Sequence, residues 1–282
     1  MALDGANPGD YDISSQTCTA ASPIAASGTC TVTVTFQPTA TGTRPASFKV
    51  TSNAASSPNS ITLTGTGTQP SLSSNVGSLS FGPQRVGTQS ANQTLTVSNI
   101  GDAPLSITGT SLTGADASQY KVVNNTCTGN VIAPAGSCAI AVAFKPTSVG
   151  AHNAASLVVA SDDPGSPDSF ALQGTGVAPK LKVKPKRARF GPVAVDGGKK
   201  VKNVKITNIG TAPLKVSGIK LEGGGGSYKA KAKACLTTIA TGDTCTFKVI
   251  FNPKVTGKIN AKITVTSDGG TATVKLQGMG LG

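Results

Sequence analysis

Apolar side chains along this chain recur at every second position over short runs. In the stretch Cys138–Phe144, residues Cys138, Ile140, Val142 and Phe144 share one face, with Ala139, Ala141 and Ala143 on the other. A period of two predicts a half-buried β-strand. Pro146 follows at once, removing a backbone donor and predicting the strand's end. The pattern occurs three times: CTAASPIAASGTCTVTVTFQP from Cys18, CTGNVIAPAGSCAIAVAFKP from Cys127 and CLTTIATGDTCTFKVIFNP from Cys235. Each copy is a cysteine, a turn-rich loop, a second cysteine, an alternating strand and Phe-x-Pro.

Other landmarks keep the same register. Tyr11, Tyr120 and Tyr228 each stand seven positions before the first cysteine of their copy. Phe81-Gly82-Pro83 returns as Phe190-Gly191-Pro192, and Asn99-Ile100-Gly101 as Asn208-Ile209-Gly210, both 109 residues on. Gly65-Thr66-Gly67, Gly174-Thr175-Gly176 and Gly278-Met279-Gly280 close the copies. A repeat this regular predicts an array of modules of roughly 105 residues, the size of one sandwich domain.

The middle module, residues 70–178, predicts seven strands, at Leu79/Phe81, Leu95/Val97, Leu105/Ile107, Tyr120/Val122, Cys138–Phe144, Leu157/Val159 and Phe170/Leu172. Turn-forming residues separate them at Asn99–Pro104 and Asp162–Gly165. The last module, 179–282, repeats the scheme at Ala188/Phe190, Val204/Ile206, Leu214/Val216, Phe247/Val249/Phe251, Ile263/Val265 and Val274/Leu276. Residues 1–69 carry only the rear of a module. With the tyrosines aligned Met1 stands opposite Thr110, so counterparts of about 71–109 are missing and the natural start of the protein is expected upstream. The fold class is therefore all-β: tandem immunoglobulin-like seven-stranded sandwiches, the first incomplete. The joints Thr68-Gln69-Pro70 and Val177-Ala178-Pro179 are short and contain proline, which predicts semi-rigid connections.

Composition agrees. The 34 glycines, 17 prolines and absence of tryptophan suit short strands and tight turns. No apolar run approaches the ~20 residues needed to span a bilayer.

Four motifs stand in fixed order: L-x-F-G-x-x-x-V-G from Leu79, N-x-G-x-x-P-L from Asn99, the cysteine pair with C-x5-F-x-P, and the closing G-T-G. The combination resembles the bacterial choice-of-anchor D module, which is similar to the immunoglobulin-like domains of the abnormal-spindle/hydin (ASH) family. It covers 70–282 and the rear of the first module. The resemblance implies non-catalytic, extracellular modules of secreted or surface proteins, acting as spacers, adhesion units or anchors. Ciliary and centrosomal relatives generally lack the cysteine pair, which disfavours a cytoskeletal role.

Candidate chemistry changes this picture little. The cysteines of each pair are separated by eleven, ten and nine residues, and His152 is the single histidine. A zinc site needs about four ligands, commonly in tight pairs, and no C-x-x-C redox motif is present. The pairs read as disulfides Cys18–Cys30, Cys127–Cys138 and Cys235–Cys245, implying an oxidising compartment. His152 reads as an exposed loop residue with no nucleophile to serve. The Gly-x-Gly triplets lack a following helix and read as strand terminators, not a nucleotide loop. Asp162 and Asp163 could suit calcium, but their counterparts Ser52-Asn53 and Ser267-Asp268 do not repeat the ligands, so they read as a solvated turn. No catalytic residue, metal site or cofactor is expected.

Charge is what departs from the repeat. Residues 1–69 carry two Lys and Arg against three acids, net −1; 70–178 carry three against five, net −2; and 179–282 carry twenty against four, net +16. Lys182, Lys184, Arg187, Arg189, Lys205, Lys229, Lys231, Lys233 and Lys248 alternate with apolar or small residues. If the first, second, fourth and fifth strands share a sheet, these nine cations face outward together. Lys215, Lys262 and Lys275 are expected on the opposite sheet. Such a face would attract an anionic polysaccharide or another polyanion. Sequence-specific nucleic-acid reading is disfavoured, since no aromatic stacking platform exists. The expected role is a non-enzymatic spacer, adhesion or anchoring array of a secreted or surface bacterial protein, with neighbouring modules of a longer chain as further partners. The alternatives are an accessory region of a secreted enzyme and an intracellular ASH-type scaffold.

Overall fold

A computed structural model describes residues 1–21, 23–195 and 197–282. Its first strands are β1 (Ala2–Asp4), β2 (Tyr11–Gln16), β3 (Val32–Phe36), β4 (Gly42–Thr43), β5 (Ala46–Val50), β6 (Asn59–Leu63) and β7 (Thr66–Gly67). Next come β8 (Leu72–Ser74), β9 (Ser78–Arg85), β10 (Gln93–Asn99), β11 (Leu105–Thr113), β12 (Tyr120–Asn125), β13 (Val131–Ile132), β14 (Ser137–Phe144), β15 (Gly150–Ser161) and β16 (Asp168–Val177). The last set is β17 (Leu181–Lys184), β18 (Arg187–Ala194), β19 (Lys200–Asn208), β20 (Leu214–Gly223), β21 (Tyr228–Lys231), β22 (Thr238–Ile239), β23 (Thr244–Phe251), β24 (Gly257–Ser267) and β25 (Gly270–Leu281).

The second and third sets each build a sandwich of a four- and a five-stranded sheet. The orders are β12-β14-β10-β8 with β13-β11-β15-β16-β9, and β17-β19-β23-β21 with β18-β25-β24-β20-β22. Neighbours are antiparallel except β9 with β16 and β18 with β25. The seven expected strands are all present, joined by short β8 and β13 and their counterparts. The expected sheet assignment is corrected. The second, fourth and fifth expected strands share a sheet, but the one bearing Leu79 and Phe81 lies with the third, sixth and seventh. Alternation fixes which face of a strand is buried, and that face is the same whichever sheet the strand joins. Pairing with β16 decides the sheet.

The inward residues form one core per sandwich. Leu95, Val97, Ile140, Val142, Phe144, Leu157 and Leu172 are fully enclosed in the second, and Val204, Ile206, Val249, Phe251, Ile263 and Leu276 in the third. A three-ring cluster anchors each core. Phe81, Tyr120 and Phe144 have centroids 5.0–5.9 Å apart, and Phe190, Tyr228 and Phe251 lie 4.7–5.6 Å apart. Each tyrosine hydroxyl donates to a backbone carbonyl: Tyr11 to Arg44, between β4 and β5, at 2.7 Å, Tyr120 to His152 on β15, and Tyr228 to Ile259 on β24 at 2.9 Å. That partner lets the polar end of a buried tyrosine remain inside.

The Gly-x-Gly triplets of the two complete sandwiches do not end strands. Gly174-Thr175-Gly176 lies within β16 and Gly278-Met279-Gly280 within β25. A Cβ on Gly174 would sit 2.7 Å from the Phe144 ring, and one on Gly176 would strike the Ser148 carbonyl. Glycine is required there because the ring and a loop lie directly against the backbone.

Asn99 and Asn208, which read as turn residues, are buried at 0% exposure. The Asn99 Nδ2 donates to the carbonyls of Ala103 (2.8 Å) and Ile132 (2.9 Å), and its Oδ1 accepts from the amides of Gly101 (3.0 Å) and Ser71 (3.4 Å). Asn208 repeats this with Ala212, Ile239, Gly210 and Lys180. The turn also holds the preceding joint. The Gln69 carbonyl accepts from Asp102 and Ala103, and the Ala178 carbonyl from Thr211 and Ala212.

Disulfides join Cys18 to Cys30, Cys127 to Cys138 and Cys235 to Cys245. Each ties the segment after the tyrosine-bearing strand to the start of the Phe-x-Pro strand, with Cys138 on β14, Cys245 on β23 and Cys30 just ahead of β3. In residues 1–69 the sheets are β1-β5-β6, β2-β3 and β4-β7. Buried Asp10 helps hold this smaller unit, accepting from the amide and hydroxyl of Thr39 and pairing with Arg44. Those partners hold its carboxyl down to about 2, Arg44 first.

Candidate anion-binding surface

Lys182 and Lys184 on β17, Lys205 on β19, Lys248 on β23, and Lys229 and Lys231 on β21 occupy the outward positions of the four-stranded sheet. Val183, Ile206, Phe247 and Tyr228 turn inward from the same strands, so strand alternation itself presents the cations. Lys184 stands directly opposite Lys205, and Lys231 opposite Lys248. Like charges facing each other across a ladder are destabilising, and among the described residues none of these six lysines forms an ion pair with a carboxylate.

The remaining three expected cations lie elsewhere. Lys233 stands in the 3-10 turn Lys233–Cys235, beyond the end of β21. Arg187 and Arg189 lie on β18, in the five-stranded sheet, because β17 has already filled the edge position beside β19. The single outward face of nine cations is thus corrected to six lysines on one sheet and two arginines on the other. Lys215, Lys262 and Lys275 are on the five-stranded sheet, as expected.

The displaced arginines create a second feature that sequence reasoning missed. Arg187 pairs in register with Lys275, and Lys275 with Lys262. Where the chain crosses between sheets, Lys186, Arg187, Arg189, Lys202 and Lys275, with Thr273, line a shallow open concavity of about 770 Å³. Among the described residues no carboxylate lines it. The nearby acid Glu222 is already engaged, with Lys220 and Lys262 each 2.9 Å away, and their hydrogen bonds hold it down to about 2. Lys262 is therefore locally neutralised, whereas the concavity is not. The alternation around Arg187 and Arg189 was visible in sequence, but the convergence of Lys186 and Lys202 on them depends on the crossing.

Other singled-out residues take structural roles. His152 is corrected from exposed loop to buried strand residue. It lies in β15, 6% exposed, its Nδ1 3.1 Å from Asp116 and its Nε2 3.0 Å from the Ser148 carbonyl. The Ser148 carbonyl, then Asp116, raise its basicity against the effect of burial. Asp162 accepts from the Ser106 amide (2.8 Å), and Asp163 from Leu72 (2.5 Å) and Gly165 (2.6 Å). These carboxylates clip loops together from the expected turn, with Asp162 exposed and Asp163 half-buried. Among the described residues no group of three or more His, Cys, Asp or Glu side chains is placed to hold a metal ion.

Two-sheet sandwiches with this strand order define an array of immunoglobulin-like modules of the ASH type. The family model for the HYDIN/CFA65/VesB-like Ig-like domain matches residues 70–175 and again 179–279, and the chain belongs to that family. No curated protein matches the chain. Among solved structures, a protein of unknown function from Porphyromonas gingivalis W83 is 15% identical over 74% of this chain and 99% of its own, at a TM-score of 0.32. The ASH/PapD-like domain 7 of human CEP192 is 13% identical over 36% of this chain and 85% of its own, TM-score 0.30. The Vibrio cholerae VesB protease is 18% identical over 36% of this chain and 32% of its own, TM-score 0.29. Domains of this family are typically non-catalytic. The three disulfides suit an oxidising, extracellular environment, and among the described residues no helix is long and apolar enough to cross a membrane.

Proposed function

We propose that the chain is a non-catalytic spacer and anchoring array of a secreted or surface bacterial protein, whose basic last module holds an anionic polymer. The observation that carries this reading is a set of cations opposed in register, Lys184 with Lys205, Lys231 with Lys248 and Arg187 with Lys275, with no acid paired to them among the described residues. A polymer of sulfates or phosphates would relieve that repulsion. The disulfides favour this role over an intracellular scaffold. Joints held by the Asn-x-Gly turns suit a spacer that keeps its modules extended.

The test is a salt titration of the full chain against a sulfated polysaccharide and a single-stranded nucleic acid. Counterion release makes log affinity fall linearly with log salt. Lys184→Gln/Lys205→Gln/Lys231→Gln/Lys248→Gln and Arg187→Gln/Arg189→Gln/Lys275→Gln should each weaken binding and flatten the slope. Lys220→Gln, beside Glu222, should do neither. Absence of binding at low salt would sink the reading. Equal losses from all three variants would leave a diffuse basic field without a site.

A further inference from the structure

We propose that a single flexible chain of phosphate or sulfate esters wraps the flank of the last sandwich and is held on both of its sheets at once. This rests on the polyanion reading above and adds the path of the polymer. The two groups of cations lie on opposite sheets, yet one flank joins them. β17 is the edge strand of the four-stranded sheet and β18 the edge strand of the five-stranded one. Only residues 185 and 186 separate these strands, so the two edges border the same flank.

Cations mark the way over that flank. On the four-stranded sheet Lys231 stands opposite Lys248, and Lys205 opposite Lys184, the last residue of the edge strand. Lys248 faces Asn203, two positions from Lys205 on β19, so the two pairs adjoin. At the crossing Lys186 is exposed, and its carbonyl accepts from the Lys275 amide at 3.0 Å, against the other sheet. Lys202 shares the inward side of β19 with Val204 and Ile206 but is exposed beyond the core. It reaches the concavity that Arg187, Arg189 and Lys275 line from the other sheet. Neighbouring strands lie about 4.8 Å apart, alternate residues about 6.7 Å and packed sheets about 10 Å, so the backbone path from Lys231 to Lys275 is about 35 Å.

The fold does not require these charges. The same flank of the second sandwich, between β8 and β9, has Asn75, Gly77, Ser78 and Ser80 where the third has Lys184, Lys186, Arg187 and Arg189. Gln93 stands in place of Lys202, and Ala171, opposite Ser78, in place of Lys275. The turn over the flank sets the character of the ligand. A chain passing between the faces must bend over an edge about 10 Å thick. Duplex DNA, stiff over about 50 nm, cannot follow it, whereas a single polymer strand can. Phosphate or sulfate oxygens match the guanidinium forks of Arg187 and Arg189. No aromatic ring lies among the described residues lining the concavity, so bases would add no stacking.

The experiment measures binding of the full chain to inorganic polyphosphate in two fractions, shorter than about 20 Å and longer than about 50 Å when extended, on either side of the path length. Held on both sheets, the long fraction should bind once per chain and about tenfold or more tighter than the short one, through effective concentration. Lys184→Gln/Lys205→Gln/Lys231→Gln/Lys248→Gln and Arg187→Gln/Arg189→Gln/Lys275→Gln should each remove that gain, while the short fraction still binds the intact sheet. All seven replaced side chains are exposed. A DNA duplex should bind the parent chain no more than about twofold tighter than it binds the better of the two variants. Long-fraction losses below about tenfold in both variants, with binding otherwise intact, would overturn the wrapped path and leave the polyanion reading standing. No binding of either fraction or of a sulfated polysaccharide at low salt would overturn both. Tighter binding of single-stranded DNA than of polyphosphate of equal length would overturn the proposal in favour of a nucleic acid.

Discussion

Replacing Asn99 tests whether a buried side chain at the start of a turn organises a whole sandwich. Asn99→Ala removes two donated hydrogen bonds of 2.8 and 2.9 Å and one accepted bond of 3.0 Å. Each is worth about 1 kcal/mol net, and stranding buried partners adds about 1–3 kcal/mol. The expected loss is about 4–6 kcal/mol. Asn99→Asp separates hydrogen bonding from cavity formation, since the residue keeps its size. It turns a doubly donating nitrogen into an oxygen facing the carbonyls of Ala103 and Ile132, and should cost at least as much. A single melting temperature is ill-defined for a multi-module chain, so native-state amide exchange is the suitable assay. About 4 kcal/mol corresponds to amides of β10 and β14 exchanging on the order of a thousandfold faster. Amides of β19 and β23 should keep their rates, and Asn208→Ala should reverse the pattern. An acceleration of less than about tenfold in Asn99→Asp, or one shared equally by both sandwiches, would refute the reasoning.

Gly174→Ala should destabilise the second sandwich by about 1–3 kcal/mol through overpacking against Phe144, measured by denaturant unfolding; a neutral effect would return the triplet to a strand terminator. Cys127→Ala/Cys138→Ala should cost about 2–3 kcal/mol for so short a loop, and peptide mapping without reduction should find three bridges, none between modules. His152 has a raised basicity, so its contribution is complete below its ordinary value of 6.5 and fades as pH rises through the higher folded value. Asp116 is held low by the Ala154 amide and then by His152, so its contribution is complete above the ordinary carboxylate value and is lost as pH falls through the lower folded one. Intrinsic-rate-corrected protection of β15 should therefore decline as pH rises above the ordinary histidine value of 6.5, and His152→Gln should flatten that decline.

Much of this protein is legible without coordinates. Alternation at Cys138–Phe144 and its counterparts predicts strands because inward and outward side chains must separate on a pleated backbone. The repeated Tyr, Cys and Phe-x-Pro spacing predicts an array of sandwiches, and the paired cysteines predict bridges local to each copy. The +16 of residues 179–282 is plain from composition. Three things required the tertiary structure. The sheet joined by the strand of Phe81 and Phe190 is set by parallel pairing with the last strand, a contact distant in sequence that leaves no mark in a two-residue period. That pairing moved Arg187 and Arg189 to the other sheet and brought them beside Lys275. Burial of Asn99, His152 and Gly174 was equally hidden, since a polar or small residue looks like a turn until its partners at Ile132, Asp116 and Phe144 arrive from elsewhere in the chain.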